Sequence, residues 1–302
     1  MTERLDFIKQ LVGKGGPDEE DDSRFENWLT QVAVERRCGK LSSDEWQATR
    51  AAFGEALSPQ TIQGFGLAKP YGYAGDFEML EKIYLRQASD NPRLKKWDEY
   101  FHRQKAPQAV RNRKAYFINL LRKLEAAAIH WQGGRGLVEV LNVACGPARD
   151  LFEYFGQHGQ GGRLRCDSLD HDPRAIAYAT ELCRDYPDRV TFLRANAFRF
   201  RARKQYRLLW CAGLFDYLDD DCFKALLRRL YGFVSEGGEI VIGNFSDKNP
   251  TRNYMELLGE WFLHHRCREQ LLALARGCGI PDSALSVGQE EEGVNLFLHI
   301  KR

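Results

Sequence analysis

Apolar residues recur every three or four positions through roughly the first 130 residues, then give way to short unbroken apolar runs. Phe25, Trp28, Leu29 and Val32 fall on one helical face, as do Phe117, Leu120, Leu121, Leu124 and Ala128. Ser42-Ser43-Asp44-Glu45 supplies N-cap candidates for a helix running to Leu57. From Gly136 onward the pattern predicts strands over 137–143, 163–169, 190–194, 207–211 and 239–244. Helices are predicted over 148–157, 173–185, 219–233 and 250–276. Residues 284–287 and 294–300 read as consecutive strands around the polar stretch 288–293, an antiparallel hairpin. Five strand–helix units and a hairpin make an α/β, Rossmann-like, seven-stranded mixed sheet with helices on both faces. Right-handed crossovers bring the loops after the first and fourth strands to one crevice. The expected organisation is a helical N-terminal lid or substrate domain over 1–130 and a sheet domain over 131–302.

Composition narrows the class only slightly. The 302 residues carry a net charge of +2, so no global field points to nucleic acid or an acidic membrane. The basic run Arg199, Arg201, Arg203, Lys204, Arg207 lacks interleaved stacking pairs beyond Phe200 and Tyr206 and reads as a solvated loop. No nucleic-acid partner is expected. Eight cysteines stand singly with no C-x-x-C pair, which suits a reduced, cytoplasmic protein and offers no metal motif. The N-terminus has no basic and apolar leader, and no apolar run reaches the ~18 residues of a membrane span. Gly13–Asp22 reads as a mobile polar linker. The sequence is compatible with a homo-oligomer and does not specify one.

Chemistry enters at two loops. Val140-Leu-Asn-Val-Ala-Cys-Gly-Pro-Ala-Arg-Asp150 is an apolar run that stops at a small-residue turn and passes directly into a helix. Such a junction turns backbone N–H groups toward a bound small molecule at a helix N-terminus. The next apolar run ends in Leu169-Asp170-His171-Asp172-Pro173, and an acid at that strand tip suits the two hydroxyls of a ribose. His171 becomes a candidate neighbour of the base, and His171 and Asp172 are equally candidate caps before Pro173. Together the two loops argue for a nucleoside cofactor.

This architecture and these loops resemble the class I S-adenosylmethionine (SAM)-dependent methyltransferases over about residues 136–302. The resemblance implies the strand order 3-2-1-4-5-7-6 and SAM as cofactor. The family's acid-x-Gly-x-Gly-x-Gly motif stands here as Asn142-Val143-Ala144-Cys145-Gly146-Pro147-Ala148, with Asn for the acid and alanine for two glycines. Asp170 matches the ribose-binding acid, and Asn196-Ala197 matches the pair that holds the adenine amino group. Ala212, Gly213 and Phe215 lie in the loop after strand four, which faces the reacting carbon. Gly237-Gly238 matches the turn before strand five. The Tyr71-Gly-Tyr-Ala-Gly-Asp-Phe-Glu78 segment, the Ala109-Val-Arg-Asn-Arg113 stretch and Asn249-Pro-Thr-Arg-Asn-Tyr-Met-Glu256 followed by Trp261 resemble a bacterial subgroup that includes methyl-ester synthases acting on hydroxy fatty acids and enzymes that cyclise SAM to azetidine-2-carboxylate.

The expected activity is therefore methyl transfer from SAM to a small-molecule O or N acceptor, a carboxylate included. Cyclisation of SAM itself, with methylthioadenosine leaving, is the alternative, and a non-catalytic SAM-binding regulator is a third reading. Asp216, Tyr217, Tyr73, Glu256 and His264 are candidate catalytic groups, and Phe215 or Tyr217 a candidate shield for the sulfonium. Tyr71 and Tyr73 are candidate lid or substrate contacts, or packing residues, and Asp76 is a candidate cap of the following helix or a substrate contact. Arg111 or Arg113, at an expected helix start, is a candidate partner for a carboxylate. Tyr254, Leu257, Leu258, Trp261 and His265 share a face of the expected 250–276 helix.

Overall fold

The computed structural model describes residues 2–128, 136–158 and 162–302. The chain divides into two compact units, one of residues 1–108 with 250–262 and one of 109–249 with 263–302. The expected domain boundary at residue 130 lies outside the described residues.

The first unit is helical. It contains α1 (Thr2–Gly13), α2 (Asp22–Arg37), α3 (Ser43–Ala51), α4 (Ile62–Ala68), α5 (Phe77–Leu85) and α6 (Pro92–Arg103). Ser42 caps α3 as the sequence predicts, its Oγ accepting from the Glu45 N–H while the Glu45 carboxylate accepts from the Ser42 N–H, a capping box. That helix ends at Ala51, short of Leu57. Phe25, Trp28, Phe53, Trp97 and Tyr100 form a buried aromatic core with ring centroids 5.1–6.4 Å apart. Residues 13–22 are a packed corner where a mobile linker was expected. Gly16 is buried at φ +129°, and a Cβ there would lie 2.8 Å from Lys96 Cβ and 2.9 Å from the Trp97 backbone N.

The second unit is a sheet with helices on both faces. Its strands are β1 (Val138–Val143), β2 (Leu164–Asp170), β3 (Val190–Arg194), β4 (Tyr206–Cys211), β5 (Val234–Phe245), β6 (Leu285–Gln289) and β7 (Asn295–Lys301). They lie in the order β3-β2-β1-β4-β5-β7-β6, with β7 antiparallel to β5 and to β6 and the others parallel. The fold class and strand order are those expected. One face packs under α7 (Lys105–Ala128), where Phe117, Ile118 and Leu121 meet Val140, Leu208, Trp210 and Phe297. Phe117 lies flat on Trp210, centroids 4.7 Å apart. The other face packs under α10 (Asp220–Tyr231) and α12 (Arg268–Arg276) through Phe223, Leu226, Leu227, Leu271 and Leu274. The helices α8 (Arg149–His158) and α9 (Pro173–Leu182) follow β1 and β2.

Two elements differ from expectation. Gly237-Gly238 lies inside β5 as a register shift between the pairs Tyr206–Val234 and Leu208–Glu239, and not as a turn before it. The expected 250–276 helix is two helices, α11 (Arg252–Leu258) in the first unit and α12 in the second. Glu260 takes a left-handed φ of +45° and pairs with Arg50, so α11 cannot continue. Further on, the Arg266 N–H donates to the Phe245 carbonyl, extending the chain beside the end of β5.

Candidate functional site

The carboxyl ends of β1, β2, β3 and β4 gather the residues of interest in the second unit. Asn142 is the penultimate residue of β1, and the loop 144–148 follows. Ala144, Gly146 and Ala148 all take left-handed backbone angles, φ +56°, +54° and +52°. These are the positions where the resembled motif has glycine. Two alanines therefore hold a conformation that costs an L-residue about 1–2 kcal/mol.

Asp170 secures that loop. Its Oδ2 accepts the Gly146 N–H at 3.0 Å, and its Oδ1 accepts the Asp172 N–H at 3.0 Å. The Cys145 N–H donates to the Leu169 carbonyl at 3.1 Å. An ionised carboxylate has about four acceptor positions, more than these two backbone bonds use. His171 Nδ1 stands 3.3 Å from Asp170 Oδ1 with the ring mostly exposed. Asp172 caps α9, its Oδ1 accepting the Arg174 N–H at 2.9 Å.

Asn196 follows β3. Its Oδ1 accepts the Phe198 N–H at 2.8 Å, which fixes the amide at the strand end, and Ala197 is buried in the core behind it. After β4, Ala212 and Gly213 run beneath Arg113, whose Nη1 donates to the Ala212 carbonyl at 2.6 Å. Arg113 is buried and lies within α7, not at a helix start. Its guanidinium is also the closest approach to a side chain built on Gly213, at 3.9 Å.

Two carboxyls feel this guanidinium. Asp150, in the first turn of α8, is buried and its pKa is pushed up to about 6 by desolvation, which the field of Arg113 opposes. Asp216 is likewise pushed up to about 6 by burial, against the Phe245 N–H that it accepts at 2.5 Å. Burial also raises the Cys145 thiol well above its ordinary value, so it is an inert wall residue.

The other candidate residues are engaged largely by the fold itself. Phe215 has no exposed surface and packs edge-on against Phe223 at 4.6 Å, so its ring presents no face to a sulfonium. Asp216 is buried beneath the loop end and serves the backbone of Phe245; it is not an accessible base. His264 likewise ties the main chain, its N–H donating to the Asp216 carbonyl and its carbonyl accepting from Asn244 Nδ2. Tyr217 is 40% exposed beside them. Tyr71, Tyr73, Asp76 and Glu256 all belong to the helical unit. Asp76 is buried and caps α5 by accepting the Met79 N–H at 2.9 Å, the Tyr71 hydroxyl donates to Glu78 at 2.6 Å, and Glu256 pairs with Arg252 at 2.6 Å.

Sequence reasoning missed Asp150 and Arg266. Asp150 sits in the first turn of a helix, where acids are usually solvated partners of the helix dipole. Arg266 is buried and donates to the carbonyls of Phe215 and Leu218, to Asn244 Oδ1 and to Asp220, shaping the whole loop after β4. A lone arginine inside an apparent helix gives no sign of this.

Asn142 carries a buried amide nitrogen with no hydrogen-bond partner among the described residues. A buried, unsatisfied donor costs about 1–3 kcal/mol. It is an observation that a ligand acceptor would resolve.

Comparison with known proteins agrees with this geometry. Residues 140–238 match the family described as methyltransferase domain. That stretch runs from β1 to the glycine pair in β5 and so contains all four strand ends. The chain is similar in fold to a possible exported protein from Bordetella parapertussis, at 18% identity over 93% of this chain and 96% of that one, TM-score 0.68. It is similar also to magnesium protoporphyrin IX methyltransferase from Synechocystis PCC 6803, determined with bound SAM, at 10% identity over 80% of this chain and 95% of that one, TM-score 0.51. No curated protein sequence matches the chain. No helix among the described residues is long and apolar enough to cross a membrane.

Proposed function

We propose that this chain is a SAM-dependent methyltransferase acting on a small-molecule acceptor. The observation that carries the reading is the bond between the Asp170 carboxylate and the Gly146 N–H, made inside a loop whose three motif positions are all left-handed. The methyltransferase-domain match spans that pair. SAM supplies a methyl group already activated by its sulfonium.

The residues fit that molecule part by part. Asp170 keeps acceptor capacity beyond its two backbone bonds for the ribose hydroxyls, and Asn196 stands at the next strand end for the adenine edge. Asn142 Nδ2 is a buried donor for the amino-acid portion, and Arg113 carries a buried positive charge for a carboxylate, whether the cofactor's or the acceptor's. Gly213 leaves the backbone bare below Arg113. The transfer forms one bond, from the acceptor's O or N to the methyl carbon, as the carbon–sulfur bond breaks and its electron pair stays on sulfur. The chain's work is chiefly alignment and exclusion of water, which supplies several kcal/mol without a strong base. A carboxylate acceptor has no proton to lose. A hydroxyl or amine acceptor has one, and Tyr217 is the exposed candidate to receive it.

Asn142 also favours a second reading, intramolecular cyclisation of SAM. An amide in place of an acid does not hold the amine in its charged form, and the free amine is the nucleophile that cyclisation needs. One experiment separates these readings. Purified protein is incubated with SAM alone and with SAM plus candidate acceptors, and the nucleoside product is identified. S-adenosylhomocysteine that forms only with an acceptor supports transfer. Methylthioadenosine from SAM alone supports cyclisation, and SAM binding with neither product leaves a regulator.

A further inference from the structure

A depression lies in the sheet unit, at the opposite ends of the strands from Asp170. Leu120, Leu124 and Ala127 of α7 and Leu208 of β4 line it with apolar surface, around about 370 Å³ of open volume. Lys123, Arg207 and Lys301 bring positive charge to its lining, and Glu239 is its one acid. Leu208 lies in β4 and Ala212 directly after it, four residues on, so roughly 13 Å of extended chain separates this place from the proposed cofactor site.

The charges here are unequal in their compensation. Glu239 is engaged by His299, whose Nδ1 lies 2.8 Å from its Oε1, while His299 Nε2 meets the Tyr116 hydroxyl at 2.7 Å. Lys123 and Lys301 make no ion pair among the described residues. Arg207 is held in place, its Nη1 donating to the Glu236 carbonyl at 3.0 Å, and it lies where a side chain at Gly237 would be, 2.7 Å from the ideal Cβ. The glycine at 237, with φ +67°, thus gives the guanidinium its bed. The volume is that of a small-ligand pocket, with apolar side chains and three cationic residues in its lining.

We propose that this depression binds an amphipathic organic anion, an apolar body with one carboxylate, sulfonate or phosphate head. The four aliphatic side chains take the body, and Lys123, Arg207 and Lys301 take the head. Neither the proposed methyl transfer nor its cofactor uses any of these residues.

The test uses 8-anilinonaphthalene-1-sulfonate as probe and N-phenyl-1-naphthylamine, the same body without the sulfonate, as its neutral counterpart. Fluorescence titration of the whole chain is expected to give one saturable sulfonate site per chain, with the neutral compound at least tenfold weaker. The double variant Lys123→Glu/Lys301→Glu is expected to weaken the sulfonate at least tenfold. Leu124→Trp, which fills the apolar wall, is expected to remove both ligands, with thermal melts of all variants checked against the parent. SAM at saturation should leave the titration unchanged. The proposal is overturned by non-saturable binding, by equal binding of the neutral compound, or by variants that bind as the parent does. It is overturned equally by displacement with SAM, which puts the probe in the other cleft, or by binding lost as protein concentration rises, which puts a second chain in the depression.

Discussion

The Gly146 N–H and the Asp170 carboxylate meet at 3.0 Å, which ties the turn after β1 to the tip of β2. One side chain therefore shapes the 144–148 loop and, in the proposed function, meets the sugar. Asp170→Ala should weaken SAM at least about tenfold, or ~1.4 kcal/mol. Asp170→Asn keeps one oxygen acceptor and should lose less. Calorimetric titration reads both, and an alanine variant that binds SAM as tightly as the parent rules out the cofactor assignment.

The left-handed alanines predict an unusual stabilisation. Ala144 is partly exposed at φ +56°, so glycine there relieves the backbone without emptying the core. The left-handed penalty of about 1–2 kcal/mol, less about 0.4–1 kcal/mol for glycine's freedom in the unfolded chain, leaves a gain of up to about 1.6 kcal/mol. Ala144→Gly should thus raise the melting temperature, and Ala144→Val should lower it. Ala148 is fully buried, so its glycine variant loses packing that offsets the gain.

Asp216 predicts a pH dependence. Its folded-state pKa of about 6 lies above its unfolded value near 3.8 because burial penalises the charge. The folded state then holds more protons than the unfolded one between those values, so stability is greatest below about pH 4 for this group and falls as pH rises through about 6. Asp150 acts in the same direction. Asp216→Asn retains an oxygen acceptor for the Phe245 N–H and removes the titration. Urea unfolding at pH 4 to 7 should show a shallower decline for the variant; identical slopes would mean the carboxyl does not titrate in that window.

Gly16 predicts a clash in the helical unit. An alanine methyl would press on the Trp97 backbone, which cannot move like a flexible side chain, and φ +129° is foreign to any L-residue. Gly16→Ala should cost at least about 2 kcal/mol by chemical unfolding. A variant as stable as the parent would show that the corner is not packed in this way.

The sheet was readable because its signals are local. Short apolar runs ending in small or acidic residues gave each strand and its carboxyl end, and Asp170 and Ala144–Ala148 stand where those runs stop. What the pattern hid depends on partners far along the chain. Trp261 and Leu263 are buried from a non-helical segment, yet their spacing from Tyr254 and Leu258 fits a helix equally well. Hydrogen bonds from Arg266 to residues about 50 positions earlier decided the outcome. Phe215 and Asp216 are buried, which the pattern also hides, because an aromatic and an acid after a strand end look alike whether they face a ligand or the core. Burial of Asp150 and Arg113 has no local signature at all.

The helical unit is assembled from two stretches of chain, 1–108 and 250–262. Its late contribution is not ornamental, since Tyr254 packs on Tyr100 at 5.5 Å and bonds Gln63 in the interior. During synthesis the first hundred residues must wait for the ribosome to pass position 262 before their aromatic core is complete. A fragment ending at residue 108 would leave those rings open to water, and such a piece should associate or bind chaperones where the entire chain does not.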